Sequence, residues 1–418
     1  MEGMFRSVRL LGSRRISMLF WGQVLSSAGD NLYAVAVVWT AVQIGGSGAG
    51  WVVGAQYAAM LVFGLLGGAY ADRWDRRRVL LYADLARMAV VLAVPVLMWM
   101  GAARLWQLGI IAALLGALGS LYDPALQASL GGMARGPHEL HAATTLMDSA
   151  RRLARVVAPG LAGALAAVVP VAHFFTIDAV TFLASTGAVL SLWPHLAGAC
   201  AARPAGEREP SPLREAFRQA RALVRVPAIA TALAGVVASN FVWGVCYVVG
   251  LPIWVHQAAR GSVGAFGGLV AVYGVANLAA MLALGGAELR HKRLMGFGGL
   301  VLMGVGWLVV AASPGMVVAA AGLMVASVGG PMQNAAAMSL LQGEVSPEHL
   351  GKAYSVYMVT SSAGCVAGTS AGALLFGAVS PAHGLATVGM LALLAGGGAM
   401  ASAAVRARPG EIAPDARA

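Results

Sequence analysis

The stretch LLGGAYADRWDRRRVLLYADLAR, residues 65–87, joins two long apolar segments through a short charged loop. It begins with a Gly-Gly pair at 67–68, continues with Asp-Arg at 72–73 and ends its polar part with three arginines at 76–78. Glycines let helices approach closely, and arginines beside an apolar span mark its cytoplasmic end. The pattern predicts two membrane helices joined on the cytoplasmic side.

The composition of the chain fits a membrane protein and excludes a soluble enzyme. Of its 418 residues, 59% are hydrophobic and 11% are charged, and the mean hydropathy is +0.76. Soluble proteins carry about 25% charged residues. Too few charged side chains are therefore present to cover the surface of this chain in water.

The net charge of +11 does not indicate nucleic-acid binding. Most of the 28 lysines and arginines cluster in short segments between apolar runs, as in proteins that face an anionic cytoplasmic leaflet. The three cysteines, Cys200, Cys246 and Cys365, form no CxxC pair. We therefore expect no nucleic-acid partner, no disulfide framework, and no metal or cofactor site.

About 20 apolar residues are needed to cross the hydrocarbon core as a helix. The chain contains twelve such stretches, at 16–44, 49–71, 79–101, 105–132, 142–169, 172–194, 226–256, 264–287, 294–312, 315–342, 352–379 and 384–405. One long polar gap divides them into six and six.

The two halves repeat each other. LGSLYDPALQASL at 118–130 aligns with VGGPMQNAAAMSL at 328–340 at a constant offset of 210 residues. Two parallel six-helix repeats with a linker between them are a common transporter architecture. We therefore predict an all-α membrane protein with twelve transmembrane helices in two bundles.

The positive charges orient these helices. The loops on one side carry 22 lysines and arginines, whereas those on the other side carry Arg104 and Arg260. By the positive-inside rule both termini are cytoplasmic. The N-terminus lacks an A-x-A cleavage site, so we expect a retained first span. The predicted organisation is a tail at 1–15, a bundle at 16–195, a linker at 196–225, a bundle at 226–405 and a tail at 406–418.

Several segments resemble one family. The loop motif at 65–87 resembles the signature of the major facilitator superfamily, in which glycine precedes Asp-Arg and a basic cluster. Three further segments are similar to its macrolide-efflux and enterobactin-exporter branch: SSAGDNLYAVAVVW at 26–39, LYDPALQASL at 121–130 and FFTIDAVTFLAS at 174–185. The resemblance implies a secondary transporter of the bacterial inner membrane that exports a drug or siderophore in exchange for protons.

The resemblance also assigns a gating role to the loop motif. In the family, the motif aspartate meets the N-terminus of the eleventh helix in one conformation, where the helix dipole stabilises a carboxylate. The corresponding motif residues here are Gly67, Gly68, Asp72, Arg73, Arg76 and Arg77. The alternative is an ordinary positive-inside loop whose acids pair with neighbouring arginines.

Ionisable groups inside spans are costly and mark functional candidates. The candidates of the N-terminal half are Asp30, Asp123, Asp148, Arg151, Arg152, Arg155 and Asp178. With a rise of 1.5 Å per residue, Asp30 and Arg155 both lie about 20 Å from the cytoplasmic ends of their spans. Proton coupling is therefore predicted at Asp30, with Arg155 as its basic neighbour.

Two interpretations of the remaining charges stay open. Asp123 lies at the depth of Arg151 and Arg152, and Asp148 precedes Arg152 by four residues on one helix face. These pairs either take part in coupling or only hold the bundle together. Asp178 is expected to stabilise the fold near the periplasmic end.

The C-terminal half offers uncharged polar and aromatic side chains for a substrate cavity. They are Asn240, Trp243, Tyr247, Asn277, Gln333 and Asn334. Stacking and hydrogen bonds from such groups suit a bulky amphipathic molecule. Contacts between helices are the alternative role for each of them.

Other functions remain open at this point. A lysolipid flippase would share the fold, and a metal exporter would use Asp30 with Cys246 and Cys365. An intramembrane enzyme would need a reactive cluster at membrane depth, and His138 and His141 lack the HExxH spacing. No Gly-Lys-Ser/Thr follows the glycine runs, which excludes ATP-driven export by this chain. We expect a monomer whose partners are a small-molecule substrate, membrane lipid and protons.

Overall fold

The fold is known from a computed structural model, in which the described residues are helical or form short connections. The described ranges are 14–70, 75–133, 168–194, 223–284, 291–345 and 350–406, with isolated residues between 136 and 165 and at 218 and 221. Within them the long helices are α1 (Arg14–Gly45), α2 (Ala49–Tyr70), α3 (Arg76–Trp99), α4 (Leu105–Met133), α5 (Ala172–Ser191), α6 (Pro227–Val242), α7 (Val263–Leu284), α8 (Lys292–Ala311), α9 (Met316–Glu344), α10 (Leu350–Ala378) and α11 (Pro381–Arg406).

Ten stretches of the described residues are long and apolar enough to cross a membrane. The first, Phe20–Gly64, contains both α1 and α2, which a 3-10 turn at Gly46–Gly48 separates. The fifth, Pro227–Gln257, runs from α6 through the π-helical segment Trp243–Gly250. A multi-pass, all-helical membrane fold is confirmed. The predicted span 142–169 lies largely outside the described residues, so the number of twelve stays a prediction.

The helices pack in two groups that follow chain order. In the first group, α1 contacts α5, α2 contacts α4, and α3 contacts both α4 and α5. In the second, α8 contacts α9 and α11, α7 contacts α9, and α6 contacts α9 and α10. The two repeat segments lie in helices of equal length, because α4 and α9 each have 29 residues. The domain boundaries at 16–195 and 226–405 stay a prediction.

Among the described residues, the apolar core is continuous across both groups at one end of the molecule and divided at the other. The continuous core includes Val42 of the first group and Val249 of the second. At the opposite end, a cluster around Leu80 belongs to the first group, and a separate cluster around Ile229 and Leu341 belongs to the second. We call these the joined end, where α1 ends and α2 begins, and the split end.

Three tryptophans mark the joined end as a membrane boundary. Trp51 lies at the start of α2, Trp99 at the end of α3 and Trp106 at the start of α4, and each is at least half exposed. Tryptophan favours the interface between lipid and water, because its ring is apolar and its N–H needs a polar partner.

Glycines bring helices of the second group into backbone contact. Gly299 of α8 faces Gly329 of α9, and a side chain at either position would overlap the backbone of the other helix. Gly306 and Gly322 repeat the contact about two turns further along. The hydrophobic effect does not drive helix association in lipid. Close van der Waals packing, which small residues at such crossings permit, drives it instead.

Gly329→Ala is expected to destabilise the protein, because the added methyl group would overlap the carbonyl oxygen of Gly299. Overpacking of this kind costs about 1–3 kcal/mol. Thermal unfolding with a thiol-reactive dye, in a Cys200→Ser background, measures the effect, since Cys246 and Cys365 are buried in the folded protein. The control is Gly268→Ala, whose added group meets nothing within 4 Å. An equal fall in the unfolding midpoint of both variants would contradict the prediction.

Candidate functional site

Arg87 of α3 lies between two carboxylates inside the first group of helices. Its Nη1 atom is 3.6 Å from Oδ1 of Asp84, and its Nη2 atom is 3.9 Å from Oδ1 of Asp30. Asp84 and Arg87 are three residues apart and share one face of α3, while Asp30 reaches them from α1. Both ion pairs are longer than a hydrogen bond, so the guanidinium is divided between the two acids.

Aromatic rings of two further helices flank this guanidinium. Its Cζ atom lies 4.8 Å from the ring centre of Phe182 in α5 and 5.1 Å from that of Tyr122 in α4, within cation–π range. The Tyr122 hydroxyl is 3.1 Å from Oγ of Ser185, a contact that holds the ring in place. Gly119 leaves room for the guanidinium, because a Cβ there would lie 3.2 Å from Nη2 of Arg87.

The two carboxylates differ in exposure. The side chain of Asp84 is fully buried, whereas that of Asp30 is 44% exposed. A charged group at membrane depth faces a partner or a water-filled cavity and not lipid. The Asp30 side chain therefore has open space beside it, the Asp84 side chain has none, and one arginine lies close to both.

Asp178 lies where α5 packs closely on Gly29 of α1. A Cβ at Gly29 would overlap the Asp178 carboxylate and the Thr181 side chain, so only glycine permits this approach. Asp178 is 1% exposed, and the hydroxyl of Thr181 donates to its backbone carbonyl at 2.7 Å. Asp178 is thus buried between two helices, and its fold-stabilising role stays a prediction.

Sequence analysis missed Asp84 and Arg87 as interior charges, because it treated them only as the flank of the loop motif. The available signal was an Asp-x-x-Arg pair inside the apolar stretch 79–101. Asp123 of α4, which was predicted, is exposed. The other predicted charges lie outside the described residues, so their pairing stays a prediction: Asp148, Arg151, Arg152 and Arg155.

Four aromatic rings form a row from the first group of helices to the second. Tyr57 of α2 meets Trp243 edge-on, with ring centres 6.3 Å apart, and Trp243 stacks on Tyr247 at 5.4 Å. Tyr247 in turn contacts Tyr273 of α7 at 4.3 Å. Trp243 and Tyr247 lie in the π-helical segment, a distortion frequent at functional sites. The structure thus joins two predicted cavity residues to two that sequence analysis did not select, and we call the four the aromatic row.

Two of the predicted amides connect helices in this conformation. Gln333 is 3% exposed, and its Nε2 atom donates to the carbonyl oxygen of Ala232 at 3.4 Å. Asn277 donates to the carbonyl oxygen of Ser327 at 2.9 Å. These contacts favour the helix–helix alternative for Gln333 and Asn277.

The other two amides pair with side chains of α10. The Tyr357 hydroxyl donates to Oδ1 of Asn334 at 2.8 Å, and the thiol of Cys365 donates to Oδ1 of Asn240 at 3.5 Å. Asn334 is exposed and remains a candidate for the cavity. Within the described ranges, no three His, Cys, Asp or Glu side chains converge as metal ligands, and Cys246 is buried.

The loop motif is described only in part. Gly67 and Gly68 fall near the end of α2, and Asp72 and Arg73 lie outside the described residues, so the gating role stays a prediction.

Local pairing orders the start of α3. The carboxylate of Asp75 caps this helix by accepting from the backbone N–H of Arg77 at 3.1 Å, and it lies 3.8 Å from Nε of Arg78. The Arg77 guanidinium also lies over the Trp193 ring, 5.4 Å from its centre. The local-pairing alternative therefore accounts for Arg77 and Arg78.

At the joined end, α2 of the first group lies directly on α10 of the second. A Cβ at Gly50 would be 2.6 Å from the carbonyl oxygen of Thr369 and 2.9 Å from Cβ of Ala373. Nearby, the ring of Trp39 in α1 stacks on that of Phe266 in α7 at 5.7 Å. The two groups therefore touch through backbone and rings at this end.

The family follows from sequence and fold together. Residues 19–369 match the family model described as Major Facilitator Superfamily. The chain belongs to this family. The proteins matched in this superfamily and fold are transporters, so the intramembrane-enzyme alternative is excluded.

The chain is similar in sequence to the multidrug efflux pump Tap of Mycolicibacterium fortuitum, with 29% identity over 189 residues. The match covers 44% of this chain and 46% of Tap. The aligned part thus spans about half the length of the relative.

Solved transporter structures share the fold at low identity. The peptide transporter POT superimposes with a TM-score of 0.74 at 14% identity, over 93% of this chain and 94% of that one. The nucleoside transporter NupG gives 0.73 at 13%, over 93% and 99%. A bacterial homologue of the human lysosomal transporter Spinster, in an inward-facing and unoccupied conformation, gives 0.67 at 14%, over 94% and 95%. These identities show the fold alone.

Proposed function

We propose that this transporter couples the export of small amphipathic molecules, drugs or siderophores, to proton movement by alternating access. The observation that carries the proposal is the site of Arg87, where a partly exposed carboxylate and a buried one share one arginine at membrane depth. Interior charges are costly and are retained where they serve a function. A carboxyl group whose cation moves with conformation binds a proton in one state and releases it in the other.

The core supports alternating access. Its two groups of helices are packed together at the joined end and have separate cores at the split end, as expected when a cavity opens to one side. The predicted loop charges place the split end at the cytoplasm and both termini on that side. The predicted span 142–169 would cross between α4 and α5 and would bring the number of helices to twelve.

Export of an amphipathic molecule is supported by the relative Tap, a multidrug efflux pump, and by the aromatic row. Aromatic rings with hydroxyl and indole groups bind flat apolar surfaces and still offer hydrogen bonds. The row lies between the two groups of helices, where a substrate would be held as they rock.

Purified protein in liposomes tests this function. With an imposed pH gradient and no ATP, we expect uphill movement of one class from a panel of antibiotics, catecholate siderophores, lysolipids and divalent metal ions. A protonophore should abolish the movement, and empty liposomes are the control. Transport that survives the protonophore, or transport of lysolipids or metal ions alone, would overturn the proposal.

Asp72→Asn is expected to slow exchange between the two conformations and to leave expression and substrate binding unchanged. The physical reason is that a carboxylate at a helix N-terminus stabilises one conformation only. Distance probes on the two bundles follow exchange, and equilibrium binding gives the affinity. The control is Asp75→Asn, which keeps the cap of α3 because asparagine also caps helices. Lower affinity with normal exchange in Asp72→Asn would rule out the gating role.

A further inference from the structure

We infer that Asp84 and Arg87 set the pH at which Asp30 exchanges its proton, with Arg87 as a counter-ion that both acids share. The inference rests on the proposed function, in which Asp30 is the proton carrier. Asp84 is then a positioning residue, because it is fully buried and acts on Asp30 through its own charge and through the shared arginine. The predicted coupling pair was Asp30 with Arg155. Asp84 is a second acid near Asp30 that this pair does not include.

The geometry supports a shared cation. Arg87 lies 3.6 Å from one carboxylate and 3.9 Å from the other, and hydrogen-bonds to neither at these distances. Rings of Phe182 and Tyr122 flank the guanidinium and limit its movement away from this position. Its charge is therefore available to both acids at once.

The unequal exposure of the acids decides their roles. The side chain of Asp84 is fully buried, and Arg87 is the cation within 4 Å that helps to offset the cost of its charge. Asp30 is partly exposed and can receive a proton from a water-filled cavity. When Asp30 is protonated, Asp84 is the charged carboxylate that lies within 4 Å of the guanidinium. When Asp30 loses its proton, both carboxylates attract the same guanidinium, and the charge on Asp84 weakens the attraction between Arg87 and Asp30.

Other titratable groups lie near Arg87 on the neighbouring helices. Tyr122 and Asp123 approach from α4, and Asp178 acts from α5. The described charged groups around the arginine are thus acidic. Among them, Asp30 and Asp84 have a carboxylate oxygen within 4 Å of the Arg87 guanidinium, and these two acids therefore share it. The arginines of the segment 142–169 lie outside the described residues.

Infrared titration of the purified protein tests the inference without a substrate. The C=O band of protonated carboxyl groups is followed over a series of pH values, and the part lost in Asp30→Asn belongs to Asp30. Asp84→Asn removes a negative charge and frees Arg87 for Asp30, so the midpoint of Asp30 should move to lower pH by about one unit. Arg87→Gln removes the cation, so the midpoint should move to higher pH by about one unit or more.

Tyr122→Phe is the matched control, because it keeps the ring over Arg87 and loses only the hydroxyl that contacts Ser185. Its midpoint should equal that of the wild type. Unchanged midpoints in Asp84→Asn and Arg87→Gln, or shifts in the same direction, would overturn the inference. If Arg87→Gln does not fold, the isosteric Asp84→Asn decides alone, since only a shift to lower pH agrees. Opposite shifts in a protein that shows no proton-driven transport would leave this inference standing and remove the proposed function.

Discussion

Asp30→Asn is expected to abolish transport driven by a pH gradient and to leave substrate binding and downhill exchange largely intact. Asparagine keeps the size and hydrogen-bonding capacity of the side chain but cannot take up or release a proton. Asp30 is the exposed member of the acid pair at Arg87, so it is the one that reaches cavity water. Without it, the conformational cycle continues but carries no proton, and uphill movement falls to the level of empty liposomes.

Two rates are measured in the same liposomes: uphill transport and counterflow. Counterflow needs conformational exchange but no coupling to protons, so only uphill transport should be lost. The comparison variant is Asp123→Asn, which neutralises another exposed carboxyl of the first group of helices. It should retain proton-driven transport. The opposite result would contradict the prediction: uphill transport at near wild-type rates in Asp30→Asn and its loss in Asp123→Asn. The coupling site would then be assigned to Asp123 with the predicted Arg151 and Arg152.

Gly50→Leu is expected to prevent closure of the joined end and to reduce transport about tenfold or more. Even a Cβ at this position would lie 2.6 Å from the backbone oxygen of Thr369, and a leucine side chain would force α2 and α10 apart. Overpacking costs about 1–3 kcal/mol, and 1.4 kcal/mol changes a conformational equilibrium tenfold. This overlap is absent when the joined end is open, so the variant should accumulate in the open conformation.

Cross-linking measures that shift. A Cβ at Gly377 would lie 3.3 Å from Oγ of Ser47, so the pair Ser47→Cys and Gly377→Cys should form a disulfide when the joined end is closed. Adding Gly50→Leu should slow cross-linking, whereas Gly109→Leu on α4 should not, because a Cβ there meets nothing within 4 Å. Equal cross-linking rates with and without Gly50→Leu would show that the leucine side chain leaves the joined end closed.

The membrane class, the helical fold and the family could be predicted from the sequence. Each depends on a local property, such as the length of an apolar run or the spacing of Gly-Gly, Asp-Arg and arginines at 65–87. Lipid reinforces this local control, because a backbone in hydrocarbon must satisfy its own hydrogen bonds within each helix. Among the described residues, the helices accordingly follow the predicted stretches closely, as Lys292–Ala311 follows 294–312.

The candidate site could be predicted only in part. Asp30 was selected by its depth, and Trp243 and Tyr247 by their chemistry. Arg87 was not connected to Asp30, because the two lie 57 positions apart and meet only because α1 and α3 both pack on α5. Depth along a helix follows from counting residues, whereas the direction in which a side chain points depends on the rotation of that helix.

Helix rotation is what tertiary packing decides in this protein. In a soluble protein, alternating polar and apolar residues reveal the buried face of a helix. Here lipid and core are both apolar, so α2 and α10 carry no such pattern, and small residues such as Gly50 and Gly54 determine which faces meet. The shared arginine, the buried Gln333 and the closure of one end therefore arise from contacts between helices, because in lipid the fit of backbones and small side chains replaces the hydrophobic signal.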